Sequence, residues 1–576
     1  MSSALAVRPR RKSFVRSPRS PMQLLVWAAE LLVAAIILYP LVRLLASLFY
    51  VDGRLQFRPF VQAAKLPGLG QTLINTVLVV GIGGLCALVV ASLFAWLNER
   101  TDARMGWLSQ SMPVIPVLIP PIAMVIGWVL LLAPTAGTIN IVLRKVLGTD
   151  ATQGPLNIYS MPGLIFLYAL ELLPYAYLVM SSAFRSIDPA LEEASRTSGA
   201  GPLRTLWKVT LPAVKPALGA SSLLMLVMGF ALFSSAAIVG TTARVDILSA
   251  RIVELLQGVF PPKTEEAVAL SFVILVVIGL AWLAQARILR LRRFAMVGGK
   301  GMRATPVRLG VLKWPARLLM LTYVAAAVAL PMLALLYVSL QRFWTTRFNL
   351  KTLSFDAYIK VFIEDVHTRA ALFDSVMLAV VGATVAMAIA FSLAMLVRRR
   401  PARSTTVLDA IAKLPGALSH IVIAVAVLLA FGGGPFFLGG TLVILLIAYV
   451  VIYLPQGSVT ADSSVSQVGE QLMEASYMAG ASEPRTLRRI ALPLMLPGLA
   501  GGWVLLFVLM AGDLTASVLL STTTTPTVGA ILLQRYQNGS FPVIAALALI
   551  ITLVSAVIVL TVLRVTRGKV SLGAQR

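Results

Sequence analysis

The chain has 576 residues, 58% of them hydrophobic and only 12% charged, with a formal net charge of +26. Soluble globular proteins average roughly a half and a quarter on those two measures, so the composition places this chain in a membrane. Its single cysteine, Cys86, stands in an apolar run, which excludes a disulfide framework and a thiolate metal site. The basic excess would suggest nucleic acid in a soluble protein, but the charges lie between apolar runs and argue against a nucleic-acid partner.

In chain order, six basic residues (Arg8, Arg10, Arg11, Lys12, Arg16 and Arg19) precede the first apolar run. The segment is too long and too charged for a cleaved signal peptide and reads as a cytoplasmic tail, residues 1–23. Runs of spanning length, about 20 residues, follow near 24–49, 73–97, 111–133, 159–183, 216–240 and 267–289. A second set lies near 316–340, 372–397, 414–432, 438–458, 495–520 and 541–564. The expected fold class is therefore an all-α polytopic membrane protein with about twelve transmembrane helices in two six-helix repeats. Residues 24–289 form the first repeat, 290–315 a basic cytoplasmic linker, 316–566 the second repeat and 567–576 a cytoplasmic tail.

Assigning alternate loops to the cytoplasm puts 34 Lys and Arg there and 14 outside, with Arg43 inside a span. That asymmetry places both termini in the cytoplasm. The linker from Arg287 to Arg317 carries nine basic residues around Gly298-Gly299-Lys300-Gly301, and reads as a tether with membrane-lipid contact as a second role. Pro116, Pro120 and Pro121 inside the third run point to an irregular helix near the axis.

Between the fourth and fifth runs lies a polar stretch that the chain contains twice. Glu193-Ala194-Ser195 with Gly199 recurs 281 residues later as Glu474-Ala475-Ser476 with Gly480. The same register carries Arg204-Thr205-Leu206 onto Arg485-Thr486-Leu487, Leu211-Pro212 onto Leu492-Pro493, and Phe260-Pro261 onto Phe541-Pro542. Each copy reads as a short helix, a glycine break and an amphipathic segment stopped by Leu-Pro, within loops spanning about 186–215 and 467–496. Two turns of helix are not stable alone, so each copy must lie against the chain or a partner. Six spans separate equivalent points, which makes the repeat parallel with a pseudo-two-fold axis along the membrane normal. Asn75-Thr76 also aligns with Asp374-Ser375.

No catalytic constellation is present, and no Gly-x-x-x-x-Gly-Lys-Ser/Thr loop, so an energy source must lie on another chain. His367 and His420 lack metal-ligand spacing to one another, and no metal site is expected. Carboxylates at membrane depth cost roughly 2.5–3.5 kcal/mol each and tend to face a bundle interior. Glu171, beside Leu173-Pro174, either hydrogen-bonds backbone opened by the proline or serves a pathway. Asp374 is either a pathway residue or interfacial. Asp513, between Gly512 and Thr515-Ala516-Ser517, is open to the same choice, with a helix-to-helix hydrogen bond as its structural role. The run from Gly432 to Gly440 reads as a tight external turn.

The pattern Glu-Ala-Ser, three residues, Gly, then Val209 or Ile490 ahead of Leu-Pro resembles the coupling-loop signature of permease subunits of type I binding-protein-dependent ABC importers. Ser195 and Ser476 stand where that signature has Ala. The overall layout, a fused double permease, is most similar to the ferric-iron permeases. The resemblance implies residence in the bacterial inner membrane, two cytoplasmic ABC ATPase subunits docked on Glu193, Ala194, Ser195, Gly199, Glu474, Ala475, Ser476 and Gly480, and an extracytoplasmic solute-binding protein. ATP and magnesium would be bound by the ATPases and no cofactor by this chain. It also implies that the span after the second loop lines the translocation route, which makes Asp513 a pathway candidate; Glu171, Asn75 and Asp374 are pathway candidates by their own positions. Thiamine, 2-aminoethylphosphonate and polyamine remain alternative cargoes, and an ion-coupled secondary transporter is the alternative of another class.

Overall fold

The computed structural model describes residues 21–51, 54–106, 109, 112–148, 152–291, 306–345, 353–399 and 402–573. The tail before residue 21 and the glycine run at 298–301 lie outside them. Among the described residues one main helix lies in each of the twelve apolar runs. In the first half they are α1 (Pro21–Phe49), α2 (Leu69–Arg100), α3 (Pro121–Leu132), α4 (Met161–Ser186), α5 (Lys215–Ala231) and α6 (Thr264–Leu291). In the second they are α7 (Gly310–Ser339), α8 (Val366–Arg399), α9 (His420–Phe431), α10 (Leu442–Ser466), α11 (Leu492–Ala511) and α12 (Phe541–Gly573). The chain is thus an all-α polytopic membrane protein.

Among the described residues nine helices are individually long and apolar enough to cross a membrane. The other three runs are broken. In the run near 111–133 a short helical turn, Ile115–Leu118, precedes Pro120-Pro121, and only the 12 residues of α3 follow as regular helix. A proline ring has no N–H to donate and clashes with the preceding turn, so helix can start at this pair but cannot run through it. α9 meets the preceding helix, Arg403–Ala417, at 111°, and α5 meets Pro202–Ala213 at 70°. α5 also stops at Ala231 and helix resumes near Ala236, just as α11 stops at Ala511 and resumes at Thr515.

The repeat keeps two registers. Pro116, Thr76 and Leu132 match Pro415, Ser375 and Phe431 at an offset of 299, whereas everything from α4 onward matches at 281. The 18-residue difference falls in one loop: residues 133–160 join α3 to α4, where residues 432–441 join α9 to α10. The longer loop holds a helix, Thr138–Leu147, caged by Asn140, which is fully buried and donates to the carbonyls of Ala133 (3.0 Å) and Leu156 (2.7 Å). The shorter is a tight turn closed by Leu438 N–H donating to the Phe431 carbonyl at 2.9 Å.

Each half lends its first helix to the other. α1 packs on α9, with Tyr39 and Phe431 ring centroids 5.6 Å apart, and the Ser392 hydroxyl on α8 donates to buried Glu30 at 2.5 Å. α7 packs on α3 so closely that a Cβ on Gly127 would lie 2.6 Å from Pro331. Overpacking there would force backbone shifts costing about 1–3 kcal/mol. The end of the linker is pinned to the first half as well: Val307 N–H donates to the Arg100 carbonyl at 2.8 Å, and Asp102 accepts from Leu309 N–H at 2.9 Å.

Candidate functional site

Both Glu-Ala-Ser stretches form at one end of the bundle, in the same shape. The helix Pro189–Thr197 starts from Asp188, whose carboxylate accepts the Ala190 N–H at 2.9 Å, and its counterpart is Glu470–Met478. Each ends on a glycine in the left-handed region, Gly199 at φ +83° and Gly480 at φ +80°. Around it Ala200 N–H donates to the Ser195 carbonyl and Ala481 N–H to the Ser476 carbonyl, both at 3.1 Å. This paired closure satisfies the last carbonyls of a helix and needs a residue without a Cβ penalty at the turn. No atom lies within 4 Å of a Cβ built on either glycine, so backbone conformation rather than crowding selects Gly there.

The serines of the motif tie the stretch together. Ser195 and Thr205 hydroxyls lie 3.0 Å apart, and Ser476 and Thr486 hydroxyls 2.8 Å apart, so in each half the short helix is bonded to the segment that enters the next span. Glu193, Ala194, Glu474 and Ala475 are solvent-exposed. They share that surface with exposed Leu191 and Trp207 in the first half, and Leu472, Tyr477 and Met478 in the second.

Sequence reading missed what anchors this surface. Arg100, at the end of α2, is buried and donates to the carbonyls of Phe184 and Ile187 at 2.6 Å each, capping the last turn of α4. Arg398, at the end of α8, does the same for Val465 and Val468. In the first half a third group joins: Glu192 is buried, lies 3.4 Å from Arg100, and accepts the Thr210 hydroxyl at 2.8 Å. The matching positions in the second half are Met473 and Ala491, so the ion pair has no equivalent there.

The predicted pathway residues sit deeper. Thr76 accepts the Leu248 N–H at 2.9 Å and Ser375 accepts the Val528 N–H at 2.8 Å, in each half the first N–H of the helix that follows the broken span, one position apart in the repeat register. Asn75 beside the former donates to the Asp246 carbonyl at 3.3 Å and accepts from Gln71 at 2.8 Å. Asp374, beside the latter, is half-buried. Glu171 does not bond the backbone opened by Pro174; it accepts the Ser235 hydroxyl, from the far side of the break in α5. Asp513 lies in the break of α11 and accepts from the Tyr453 hydroxyl at 2.9 Å and from the Ala516 and Ser517 N–H groups at 2.9 and 3.1 Å.

A cavity of about 870 Å³ occupies the end of the bundle opposite the Glu-Ala-Ser loops. Its walls are matched across the repeat: Thr241 with Thr522, Glu254 with Arg535, and Gln257 with Asn538, so it straddles the pseudo-two-fold axis. None of Asn75, Glu171, Asp374 and Asp513 lines it. The charges that do are paired within their own halves, Glu254 with Arg251 at 2.8 Å and Arg535 with Asp365. Burial alone would raise the Asp365 carboxyl, but hydrogen bonds from Thr368 and His367 and the Arg535 guanidinium together hold it below the usual carboxylate range. Among the described residues no group of three or more His, Cys, Asp or Glu could hold a metal ion.

Comparison with known proteins bears on this arrangement. The family model of the binding-protein-dependent transport system inner membrane component matches residues 79–293 and again 307–567. The ferric transport system permease protein FbpB of Actinobacillus pleuropneumoniae is 26% identical over 536 residues, covering 92% of this chain and 76% of the relative. A putative ferric transport system permease protein, FbpB 1, of Haemophilus influenzae is 24% identical over 503 residues, covering 86% and 77%. The spermidine/putrescine permease protein PotC of Escherichia coli is 35% identical over 128 residues, covering 22% and 47%. A solved bacterial alginate ABC transporter, in complex with an alginate-loaded periplasmic protein, aligns at 21% identity and a TM-score of 0.38 over 48% of this chain and 97% of its own. With one family match in each half, together spanning most of its length, the chain belongs to the family of inner-membrane components of binding-protein-dependent transport systems and is a fused double permease of an ABC importer.

Proposed function

We propose that this permease carries ferric iron, and that it does so by rocking its two halves about the pseudo-axis under the drive of two ATPase subunits docked on Pro189–Thr197 and Glu470–Met478. The observation that carries the mechanical part is the duplicated loop: the same helix, the same left-handed glycine and the same Ser–Thr tie at one end of both halves. Two identical presentations at one end suit two copies of one partner. ATP and magnesium belong to that partner, since the Gly-Lys-Ser/Thr phosphate loop is missing from this sequence. The charge asymmetry of the loops supports placing this end, and both termini, in the cytoplasm. The solute-binding protein then delivers cargo at the axial cavity of the other end, and Asn75, Glu171, Asp374 and Asp513 stand beyond it as pathway residues.

Iron is supported by the names of the relatives that align over most of the chain. A polyamine cargo is the second reading, favoured by the shorter but closer match to the spermidine/putrescine permease. Family membership replaces the alternative of an ion-coupled secondary transporter. The test is reconstitution of the chain with its ATPase and binding protein in vesicles. ATP hydrolysis stimulated by iron-loaded binding protein, with iron uptake, is the expected result; stimulation by a polyamine-loaded protein alone would shift the cargo to polyamine.

A further inference from the structure

The extra loop of the first half ends on a contact that the second half does not return. Besides donating to the carbonyls already described, Asn140 accepts the Leu156 N–H at 3.1 Å, and the Ile158 N–H donates to the Leu132 carbonyl at 3.3 Å, so the end of the loop is held firmly. One residue on, the Tyr159 hydroxyl lies 3.2 Å from the hydroxyl of Tyr536. The loop therefore reaches across the seam and bonds the other half beside the axial cavity, whose wall includes Arg535 and Gln537 on either side of Tyr536. Tyr536 is braced from behind: its ring meets Phe541 edge-on with centroids 5.8 Å apart, and Phe541 in turn stands 4.4 Å from the ring of Trp344. Both phenols are half-buried, where a hydrogen bond is stronger than it is in water.

The repeat register removes each part of this arrangement from the other seam. Tyr159 corresponds to Gly440, which has no side chain to extend, and Tyr536 corresponds to Leu255, which has no hydroxyl. The brace is missing too, because Phe260, the counterpart of Phe541, is 95% exposed. On that seam the bond across the halves is of another kind, from the Gln257 side-chain amide to the Val518 carbonyl, and Gln257 is exposed. The 18 extra residues, the covered phenylalanine and the phenol pair thus belong together, and the chain has them once.

We infer that Tyr159 and Tyr536 form a one-sided latch that holds the outer ends of the two halves together at rest and so limits ATP hydrolysis until a loaded binding protein docks. The inference rests on the importer reading and deepens it. Between the cavity and the Glu-Ala-Ser loops the halves also touch, where Ser419 donates to the Phe230 carbonyl at 2.9 Å and Pro120 lies 2.8 Å from where a Cβ on Gly512 would stand. Rigid halves pivoting on those contacts draw the two loops, and the ATPases on them, together as the outer ends part. A bond made in only one of two states shifts their populations by its own stability, so the latch favours the state in which the ATPases stand apart.

The test uses the full complex with its ATPase in vesicles, and reads ATP hydrolysis with no binding protein present. Tyr159→Phe and Tyr536→Phe keep the ring and remove the hydroxyl, and each is expected to raise that resting rate about five-fold, the shift that one hydrogen bond gives a two-state equilibrium. Because both remove the same bond, the double variant should rise no further. Gln257→Ala, on the water-exposed seam, should raise the rate less than either. A phenol with a merely structural role would instead lower resting and stimulated hydrolysis alike. Resting rates at or below the wild-type value in both phenylalanine variants, or a double variant in which the two rises multiply, overturn the latch, and a larger rise in Gln257→Ala overturns its one-sidedness. Failure of any loaded binding protein to stimulate wild-type hydrolysis overturns the importer reading instead.

Discussion

The two Glu-Ala-Ser loops share one shape and differ in how they are held. In the first, Arg100, Glu192 and Thr210 form a buried cluster that fastens the short helix to the ends of α2 and α4. In the second, Arg398 still caps α10, but Met473 and Ala491 replace the acid and the hydroxyl, so apolar contact does the work. Entry to the next span differs too: the first loop meets α5 at a 70° bend, while the second runs into α11 within one continuous span, Pro484–Ala511. Shape is therefore what both halves must present, and the means of fixing it is free to vary.

The largest expected effect tests the shared shape. Gly199→Asp with Gly480→Asp should abolish copurification of the ATPase and stimulated hydrolysis, because a side chain at these left-handed positions strains the turn, shifts the exit of the chain and adds a charge to the exposed surface. Either substitution alone should reduce transport severely. Wild-type hydrolysis and copurification in the double variant would sink the coupling role of the loops.

The anchoring contrast comes next. Glu192→Gln leaves Arg100 with a weakened partner and should destabilise the detergent-purified chain by up to about 3–5 kcal/mol, the range for breaking a buried ion pair. Met473→Leu, at the matching site, should cost less than about 1.5 kcal/mol. Equal shifts in thermal unfolding would show that the two anchors are energetically equivalent.

Smaller again is the tie within each loop. Ser195→Ala and Ser476→Ala each remove one hydroxyl pair, worth about 1 kcal/mol. Ser476 is buried and Ser195 only half-buried, so the second should lose more of its coupling between hydrolysis and uptake. The reverse order would mean that the first loop dominates coupling.

The smallest effect contrasts the far ends of the halves, where Asp365 caps α8 and its register counterpart is Leu66. Because its carboxyl is held below the ordinary value, Asp365 stabilises the fold at pH above that ordinary value, and the contribution disappears as pH falls through the lower, folded value. Asp365→Asn should therefore lower unfolding temperature slightly near pH 7 and flatten its decline in acid. An unchanged acid limb would rule out this cap as a source of the pH dependence.

Much of this was legible in the residues. Twelve apolar runs, the parallel repeat, the left-handed glycines and the Thr76/Ser375 pair all follow from periodicity and register. The breaks were only partly legible: Pro120-Pro121 announces one, but Ala231 to Phe233 contains no breaker, and its partner is seen only through Gly512-Asp513. The anchors were not legible, since Arg100 and Glu192 lie 92 positions apart. Burial of a charge depends on what folds over it, which no local pattern carries. Glu30 was hidden in the same way, because its partner, Ser392, belongs to the other half.

The exchange of first helices has a consequence for how the chain is made. α1 ends at residue 49, and the α9 surface it packs on begins at residue 420. At a synthesis rate of about 5–20 residues per second, α1 waits on the order of 20 to 70 seconds in the bilayer before α9 exists, with α6 made in between to meet it from its own half, through Phe49 and Phe272. During that interval Glu30 has no Ser392 to receive and the aromatic face of Tyr39 meets lipid. Biogenesis therefore has a long interval in which α1 lacks its main packing surface, and slowed translation between the halves should raise its loss to membrane proteolysis before any defect in transport is seen.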